Sequence, residues 1–125
     1  MNRPELFRLA RVVAAIFLVV SGVRHVVLAV ECDPSVPRHW LFVGINLGLA
    51  FLLVRWPKAA LYATALLSIQ QMASHGTALV RSIEAPGPVD VASLAVCLFF
   101  PALIAILVVE RRSLHIFRTQ PSNAP

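Results

Sequence analysis

The stretch VVAAIFLVVSGVRHVVLAV, residues 12–30, decides the fold of this chain. Its only interruptions are a Ser-Gly pair and an Arg-His pair, and it belongs to an apolar segment that runs from Leu6 to Val30. About 20 helical residues are enough to cross the ~30 Å hydrocarbon core of a bilayer. The segment therefore predicts a helix that spans a membrane.

Three further apolar segments follow, and they extend this prediction to the whole chain. Of the 125 residues, 58% are hydrophobic and only 14% are charged, which disfavours a soluble protein. We predict an all-α, four-helix transmembrane bundle within residues 1–112, followed by a polar cytoplasmic tail, 113–125. The helices are expected at about residues 6–30, 37–55, 59–81 and 89–110. Prolines mark the connections, which we place at Glu31–His39, Trp56–Pro57 and Ser82–Pro88.

Basic residues distinguish the two ends of the predicted helices. With a cytoplasmic N-terminus, eight of the 11 Lys and Arg residues flank the inner ends, two flank the outer ends, and Arg24 lies within the first helix. Because basic residues collect on the cytoplasmic side, we expect both termini in the cytoplasm of a bacterial inner membrane. The net charge of +5 follows from this topology; it suits anionic lipid headgroups and requires no nucleic acid. The inner basic residues are Arg3, Arg8, Arg11, Arg55, Lys58, Arg111, Arg112 and Arg118, and the outer ones are Arg38 and Arg81.

The first apolar segment also has features of a cleaved signal peptide, namely a basic start and an apolar run. However, this run is longer than the usual length of roughly 7–15 residues, and no A-x-A site follows it. Glu31 precedes Cys32, where a lipoprotein site would have a small residue. We therefore expect the segment to be retained as a helix.

Polar residues lie at one depth, in the outer half of the predicted bundle. Ser21, Arg24 and His25 stand at i, i+3 and i+4 and share one helical face, and Gln71, Ser74 and His75 repeat that spacing. An ionisable residue inside a membrane is costly and is a candidate for function. The sequence therefore predicts an outward-facing polar pocket, with His25 and His75 at nearly equal depth. Its predicted ligand-binding residues are Arg24, His25, Asn46, Gln71, Ser74 and His75.

Each of these residues also has a purely structural interpretation. Arg24 can extend its long side chain to the outer headgroups. The histidines can be hydrogen-bonded packing residues, and Asn46 and the glutamines can form interhelical bonds, each worth ~0.6–2 kcal/mol. Gly44 and Gly48 form a G-x-x-x-G spacing, which favours close approach of another helix. These alternatives stay open at the level of sequence.

Cofactor motifs are weak. His25 and His75 could hold a haem across parallel helices, and His39, Glu31 and Asp33 could hold a metal at the outer mouth, but neither spacing is specific. We therefore assign no metal ligand and leave the cofactor unknown, with haem or a quinone as options. Nucleophile and phosphate-loop motifs are absent from the sequence, so catalysis is left open. Whether Cys32 and Cys97 pair is also left open.

The segment Ser21-Gly22-Val23-Arg24-His25, followed by a Gly-rich second helix with an aromatic start, resembles the DoxX-like group of small four-helix membrane proteins. The resemblance covers about the first 75 residues. In that group a Gly followed by a basic residue is common in the first helix, which Gly22 with Arg24 or His25 would match. The resemblance implies accessory roles in redox complexes and quinone-linked sulfur oxidation. It transfers no set of catalytic residues, and the chain departs from the group in having two candidate basic residues.

We therefore predict a membrane protein that binds a small ligand, a lipid headgroup or a quinone-like molecule in the outer pocket. It would act as an accessory subunit, next to other membrane subunits or copies of itself. The alternatives are a haem- or metal-dependent electron-transfer protein and a purely structural subunit of a larger complex.

Overall fold

The computed structural model describes residues 2–31 and 36–119, and this part of the chain is helical, with no strand. The predicted all-α class is therefore confirmed. The chain divides into two compact units, Met1–Ala60 and Leu61–Pro125. The helices are α1 (Arg3–Glu31), α2 (Val36–Arg55), α3 (Pro57–Glu84) and α4 (Val91–Thr119).

Three helices of the described residues are long and apolar enough to cross a membrane: Arg3–Glu31, Pro37–Arg55 and Val91–Ser113. At 1.5 Å per residue, the shortest of them extends for about 28 Å, close to the hydrocarbon thickness of a bilayer. The 28-residue helix α3 is long enough but is not among them, because polar residues concentrate in its second half. These are Gln70, Gln71, Ser74, His75 and Thr77. A membrane-spanning role for α3 stays a prediction.

A reciprocal cap sets the start of α1. The side chain of Asn2 accepts a hydrogen bond from the Glu5 amide at 3.0 Å, and the Glu5 carboxylate accepts one from the Asn2 amide at 3.0 Å. This capping box satisfies two backbone N–H groups that have no partner within the helix. The helix thus begins before the apolar segment does, in a polar first turn.

Helices α1 and α2 form an antiparallel pair in the first unit. Near one end, the Arg11 guanidinium donates to the Leu53 carbonyl at 3.4 Å. This contact places a positive charge on the last turn of α2, where helix carbonyls lack partners. Further along, Asn46 meets Ser21, so residue numbers rise along α1 as they fall along α2.

Helices α1 and α2 come close to each other at Gly22. They do not do so at Gly44 and Gly48, the two residues of the G-x-x-x-G spacing. A Cβ atom placed on Gly22 would lie 3.7 Å from the Asn46 Cβ atom and 3.9 Å from a Leu47 methyl carbon. Gly44 and Gly48 are exposed, and a Cβ on either would meet no described atom within 4 Å. The close packing that their spacing predicted is therefore not made within the described residues.

One connection and one helix boundary differ from the sequence expectation. Helix α2 begins at Val36, one residue before the predicted start at 37, so the connection placed at Glu31–His39 extended too far and His39 is helical. Pro37 allows this because proline is tolerated in the first turn, where its missing N–H has no partner anyway. Helix α4 continues beyond residue 110 to Thr119, since residues 111–119 contain no Pro or Gly to end it.

Helices α3 and α4 also run antiparallel in the second unit. His75 meets Ser93 near one end of the pair. Near the other end, Arg111 donates to the Tyr62 hydroxyl at 3.2 Å, and its guanidinium lies 6.0 Å from the ring centre. The buried positions of α4 follow a helical repeat that faces one side. They are Ser93, Phe100, Leu103, Leu107 and Glu110.

Candidate functional site

Asn46 is the buried polar residue at the centre of the α1–α2 pair. It is 8% exposed, and its amide nitrogen donates to the Ser21 hydroxyl at 3.4 Å. Whichever way the amide is turned, one of its two polar atoms has no hydrogen-bond partner among the described residues. The atom without a partner keeps some accessible surface, because it is not among the fully buried polar atoms that lack one. A water or a ligand can therefore reach this atom.

A second polar contact lies one turn further along α1. The Nδ1 atoms of His25 and His39 are 3.2 Å apart, and both side chains are half-buried. The Phe42 ring stacks on His25, with ring centres 5.2 Å apart and an angle of 21° between planes. Because His39, Phe42 and Asn46 stand at i, i+3 and i+7, all three come from one face of α2. We call the five residues Ser21, His25, His39, Phe42 and Asn46 the α1–α2 cluster.

Arg24 does not join the α1–α2 cluster. Its side chain is exposed, whereas all five residues of the cluster are buried or half-buried. This placement matches the interpretation in which the long side chain extends to the membrane surface. The predicted role of Arg24 in ligand binding stays a prediction.

The second unit holds a chain of hydrogen bonds from α3 to the start of α4. The His75 Nδ1 atom lies 3.0 Å from the Ser93 hydroxyl, which in turn donates to an Asp90 carboxylate oxygen at 2.6 Å. Since the hydroxyl proton points to Asp90, the serine oxygen accepts from His75, which requires the Nδ1–H form of that ring. The order is thus His to Ser to Asp, and the histidine does not activate the serine as a base would.

Two other predicted residues of α3 differ in their environment. Gln71 is buried. Ser74 is exposed and donates to the backbone carbonyls of Gln70 and Gln71, at 3.1 and 3.3 Å. Its hydroxyl is thereby bound to its own helix, as is common for helical serines. The prediction that His25 and His75 face one pocket stays a prediction.

Asp90 caps α4. Its carboxylate accepts hydrogen bonds from the Ser93 hydroxyl and from the Ser93 backbone amide, the latter at 3.1 Å. These two bonds, the hydroxyl first, lower the pKa of Asp90 below the ordinary value for an aspartate. The Asp90 amide donates to the Ser82 hydroxyl at 3.0 Å, which joins the cap to the end of α3.

Acid should weaken this cap. Because the folded pKa of Asp90 lies below its unfolded pKa, the carboxylate stabilises the fold above the unfolded pKa and loses that effect as pH falls through the folded pKa. We expect the thermal midpoint of the detergent-solubilised protein to decrease when the pH is lowered below the ordinary pKa of an aspartate. Asp90→Asn keeps a good capping group that does not titrate, so the variant should lose part of this acid dependence. Identical pH profiles for the two proteins would contradict the assignment.

Sequence reasoning missed two members of the α1–α2 cluster. His39 was placed in a connection and Phe42 was given no role. The signal was present in the spacing of His39, Phe42 and Asn46, which all lie within the predicted helix at 37–55, but His39 was counted with the connection.

Clusters of three or more metal ligands, and room for a haem between His25 and His39, are not found among the described residues. The described residues contain no group of three or more His, Cys, Asp or Glu side chains that could hold a metal ion. His25 and His39 turn their Nδ1 atoms toward each other at 3.2 Å, which leaves no room for a porphyrin between them. Cys97 is a free, half-buried thiol, and Cys32 and Asp33 lie outside the described residues.

Comparison with known proteins gives no match, either to a protein-family model, to a curated protein or to a solved structure. The resemblance to the DoxX-like group therefore stays a prediction.

Proposed function

We propose that this chain is an integral protein of a bacterial inner membrane that binds a small ligand at the α1–α2 cluster. Both termini are cytoplasmic and all four helices cross the bilayer as a bundle in this proposal. Three apolar helices of sufficient length support the membrane setting. The excess of basic residues at the predicted inner ends supports the orientation.

The observation that carries the binding proposal is the buried amide of Asn46. Polar groups inside a bilayer are expensive because no water is available to them. One polar atom of this amide has no partner among the described residues, and the half-buried His25 lies one turn further along α1. A ligand hydroxyl can donate to the Asn46 amide oxygen, and a ligand carbonyl can accept from the second N–H of the amide nitrogen, while the apolar part of the ligand stays in lipid.

The aromatic contacts favour a planar ligand. Phe42 and His25 already stack, and offset stacking of flat rings adds about 0.5–1.5 kcal/mol beyond burial. A quinone combines a flat ring with two carbonyl acceptors, one of which can accept from the second N–H of the Asn46 amide nitrogen, so it fits this cluster better than a charged lipid headgroup. A quinone ligand also agrees with the DoxX-like resemblance, which we retain as a proposal together with an accessory role next to other membrane subunits or further copies of the chain.

One specific observation favours the alternative of a purely structural subunit. The Ser21–Asn46 bond joins two helices, and such bonds contribute ~0.6–2 kcal/mol to helix association without any ligand. In that case the α1–α2 cluster serves packing only. The electron-transfer alternative would need a metal, or a haem that is not held between His25 and His39.

Quenching of tryptophan fluorescence by a short-chain benzoquinone tests the binding proposal. The titration uses the purified chain in detergent, where Trp40 lies next to His39 in sequence. We expect saturable quenching, and Asn46→Leu should weaken it up to about tenfold, since a neutral hydrogen bond contributes about 0.5–1.5 kcal/mol.

The matched control is Gln70→Leu, which removes an exposed amide from α3 and should leave the affinity unchanged. Quenching that never saturates, or equal affinities for wild type and Asn46→Leu, would leave the structural subunit as the better account. An absorption spectrum of the same sample checks the haem alternative, which requires a Soret band.

A further inference from the structure

The two histidines of the α1–α2 cluster form a pair that the binding proposal does not fully use. Their Nδ1 atoms are 3.2 Å apart, and the rings lie at 34° to each other with centres 5.5 Å apart. Each ring is carried by a separate helix, and stacking on Phe42 orients the ring of His25. The separation of the nitrogens is therefore set by the packing of α1 against α2.

We propose that His25 and His39 bind one divalent transition-metal ion, such as Zn²⁺ or Co²⁺, through their Nδ1 atoms. Zinc–nitrogen bonds are about 2.0–2.1 Å long, so two tetrahedral ligands on one ion lie about 3.3 Å apart. The observed 3.2 Å meets this requirement with no separation of the helices. Imidazole nitrogen selects borderline metals, whereas Mg²⁺ and Ca²⁺ prefer oxygen ligands.

The same distance also suits a hydrogen bond between two neutral rings, and binding replaces that bond. One ring of the neutral pair carries its proton on Nδ1, and this proton moves to Nε2 when the metal takes both Nδ1 lone pairs. No proton is lost from a neutral pair, and one is released for each ring that was charged. Affinity should therefore fall in acid.

The described residues supply two ligands, and water can occupy the remaining coordination positions. No third His, Cys, Asp or Glu among them joins the pair. With these two protein ligands alone the ion would keep exchangeable positions, unlike a closed structural zinc site with four protein ligands. His75 provides the contrast, because its Nδ1 atom is engaged with Ser93.

Competition for Zn²⁺ with a chromophoric chelator tests the site on the purified full chain. We expect one Zn²⁺ per chain, and His25→Ala and His39→Ala should each weaken binding at least about tenfold, because each removes one of two ligand nitrogens. The chain has four histidines, so His75→Ala and His115→Ala are matched controls that should bind as wild type does. Binding that is unchanged in His25→Ala and His39→Ala would overturn the proposal.

A second measurement uses only the wild-type chain, so it does not depend on the variants folding. Diethylpyrocarbonate modifies accessible imidazoles, and mass spectrometry of peptides reports each histidine separately. Zn²⁺ should protect His25 and His39 and leave the reactivity of His75 unchanged. Equal modification with and without Zn²⁺ would show that the pair forms a hydrogen bond and no metal site.

The metal proposal is separable from quinone binding. Asn46→Leu should weaken quinone binding and leave the Zn²⁺ affinity unchanged, whereas His39→Ala should weaken Zn²⁺ binding whether or not a quinone binds. Loss of Zn²⁺ binding in Asn46→Leu would contradict the assignment of the ligands to the two histidines alone.

Discussion

Leu53→Ala should lower the free energy of unfolding by about 2–5 kcal/mol, because it removes buried methyl groups and leaves a cavity. Leu53 is 0% exposed. Its carbonyl accepts the hydrogen bond of Arg11, so the cavity would open where α1 contacts the last turn of α2. Denaturant unfolding of the detergent-solubilised protein, followed by circular dichroism, measures the change.

The next residue on the same helix is the control. Val54 is 61% exposed, so Val54→Ala should change the free energy of unfolding by less than about 0.5 kcal/mol, as is usual for surface substitutions. Equal effects of Leu53→Ala and Val54→Ala would show that α2 does not pack through this side.

Gly22→Leu should separate α1 from α2 and destabilise the chain by about 1–3 kcal/mol, the usual cost of overpacking. A Cβ atom at position 22 would already contact Asn46 at 3.7 Å and Leu47 at 3.9 Å. The remaining atoms of a leucine side chain would need space that these two residues fill. The Ser21–Asn46 bond should be lost at the same time, because Asn46 would be pushed aside.

Gly22→Ala should have the opposite sign. Its single methyl group would make ordinary van der Waals contacts at the distances above, and alanine favours a helix over glycine by about 1 kcal/mol. Thermal melting of both variants beside wild type measures the order, with Ala at or above wild type and Leu below it. A leucine variant as stable as wild type would contradict the packing of α1 against α2 at Gly22.

Hydropathy was sufficient to predict the all-α fold and the approximate helix positions. Apolar segments define where a helix can lie in lipid, and prolines such as Pro37 and Pro57 limit where it can begin. The polar ends of the helices carry no such signal, so α4 was predicted to stop near residue 110 although it reaches Thr119.

The candidate site was harder to predict. Helical spacing shows which residues lie on the same side of a helix, but it does not show which part of that side packs against the neighbouring helix. At 100° per residue, Leu18, Gly22 and His25 lie on average roughly 65° to one side of Ser21, while Arg24 lies about 60° to the other. The packed side of α1 includes Leu18 and Gly22, so Arg24 falls outside it. The small and apolar residues Leu18 and Gly22 thus determine which side of α1 packs against α2.

The partners of the site residues could not be read from α1 alone. The contact of His25 with His39 depends on how far α2 slides along α1. That position follows from the close approach at Gly22 and from the bond between Arg11 and Leu53. The spacing of residues in the sequence predicts neither the approach at Gly22 nor the bond between Arg11 and Leu53.

The most direct test of the account is the labelling of single cysteines by a membrane-impermeant thiol reagent in intact cells. Cys32 and Cys97 are first replaced by serine and alanine, and Glu31→Cys and Lys58→Cys are then made separately. Glu31 ends α1 near the α1–α2 cluster, and Lys58 stands in the first turn of α3, next to the connection after α2.

We expect Glu31→Cys to be labelled in intact cells and Lys58→Cys to be labelled only after the membrane is permeabilised. Labelling of Lys58→Cys alone in intact cells would reverse the orientation and place the α1–α2 cluster on the cytoplasmic side. Labelling of both positions in intact cells would show that α2 does not cross the membrane, and the proposed site in its outer half would not exist.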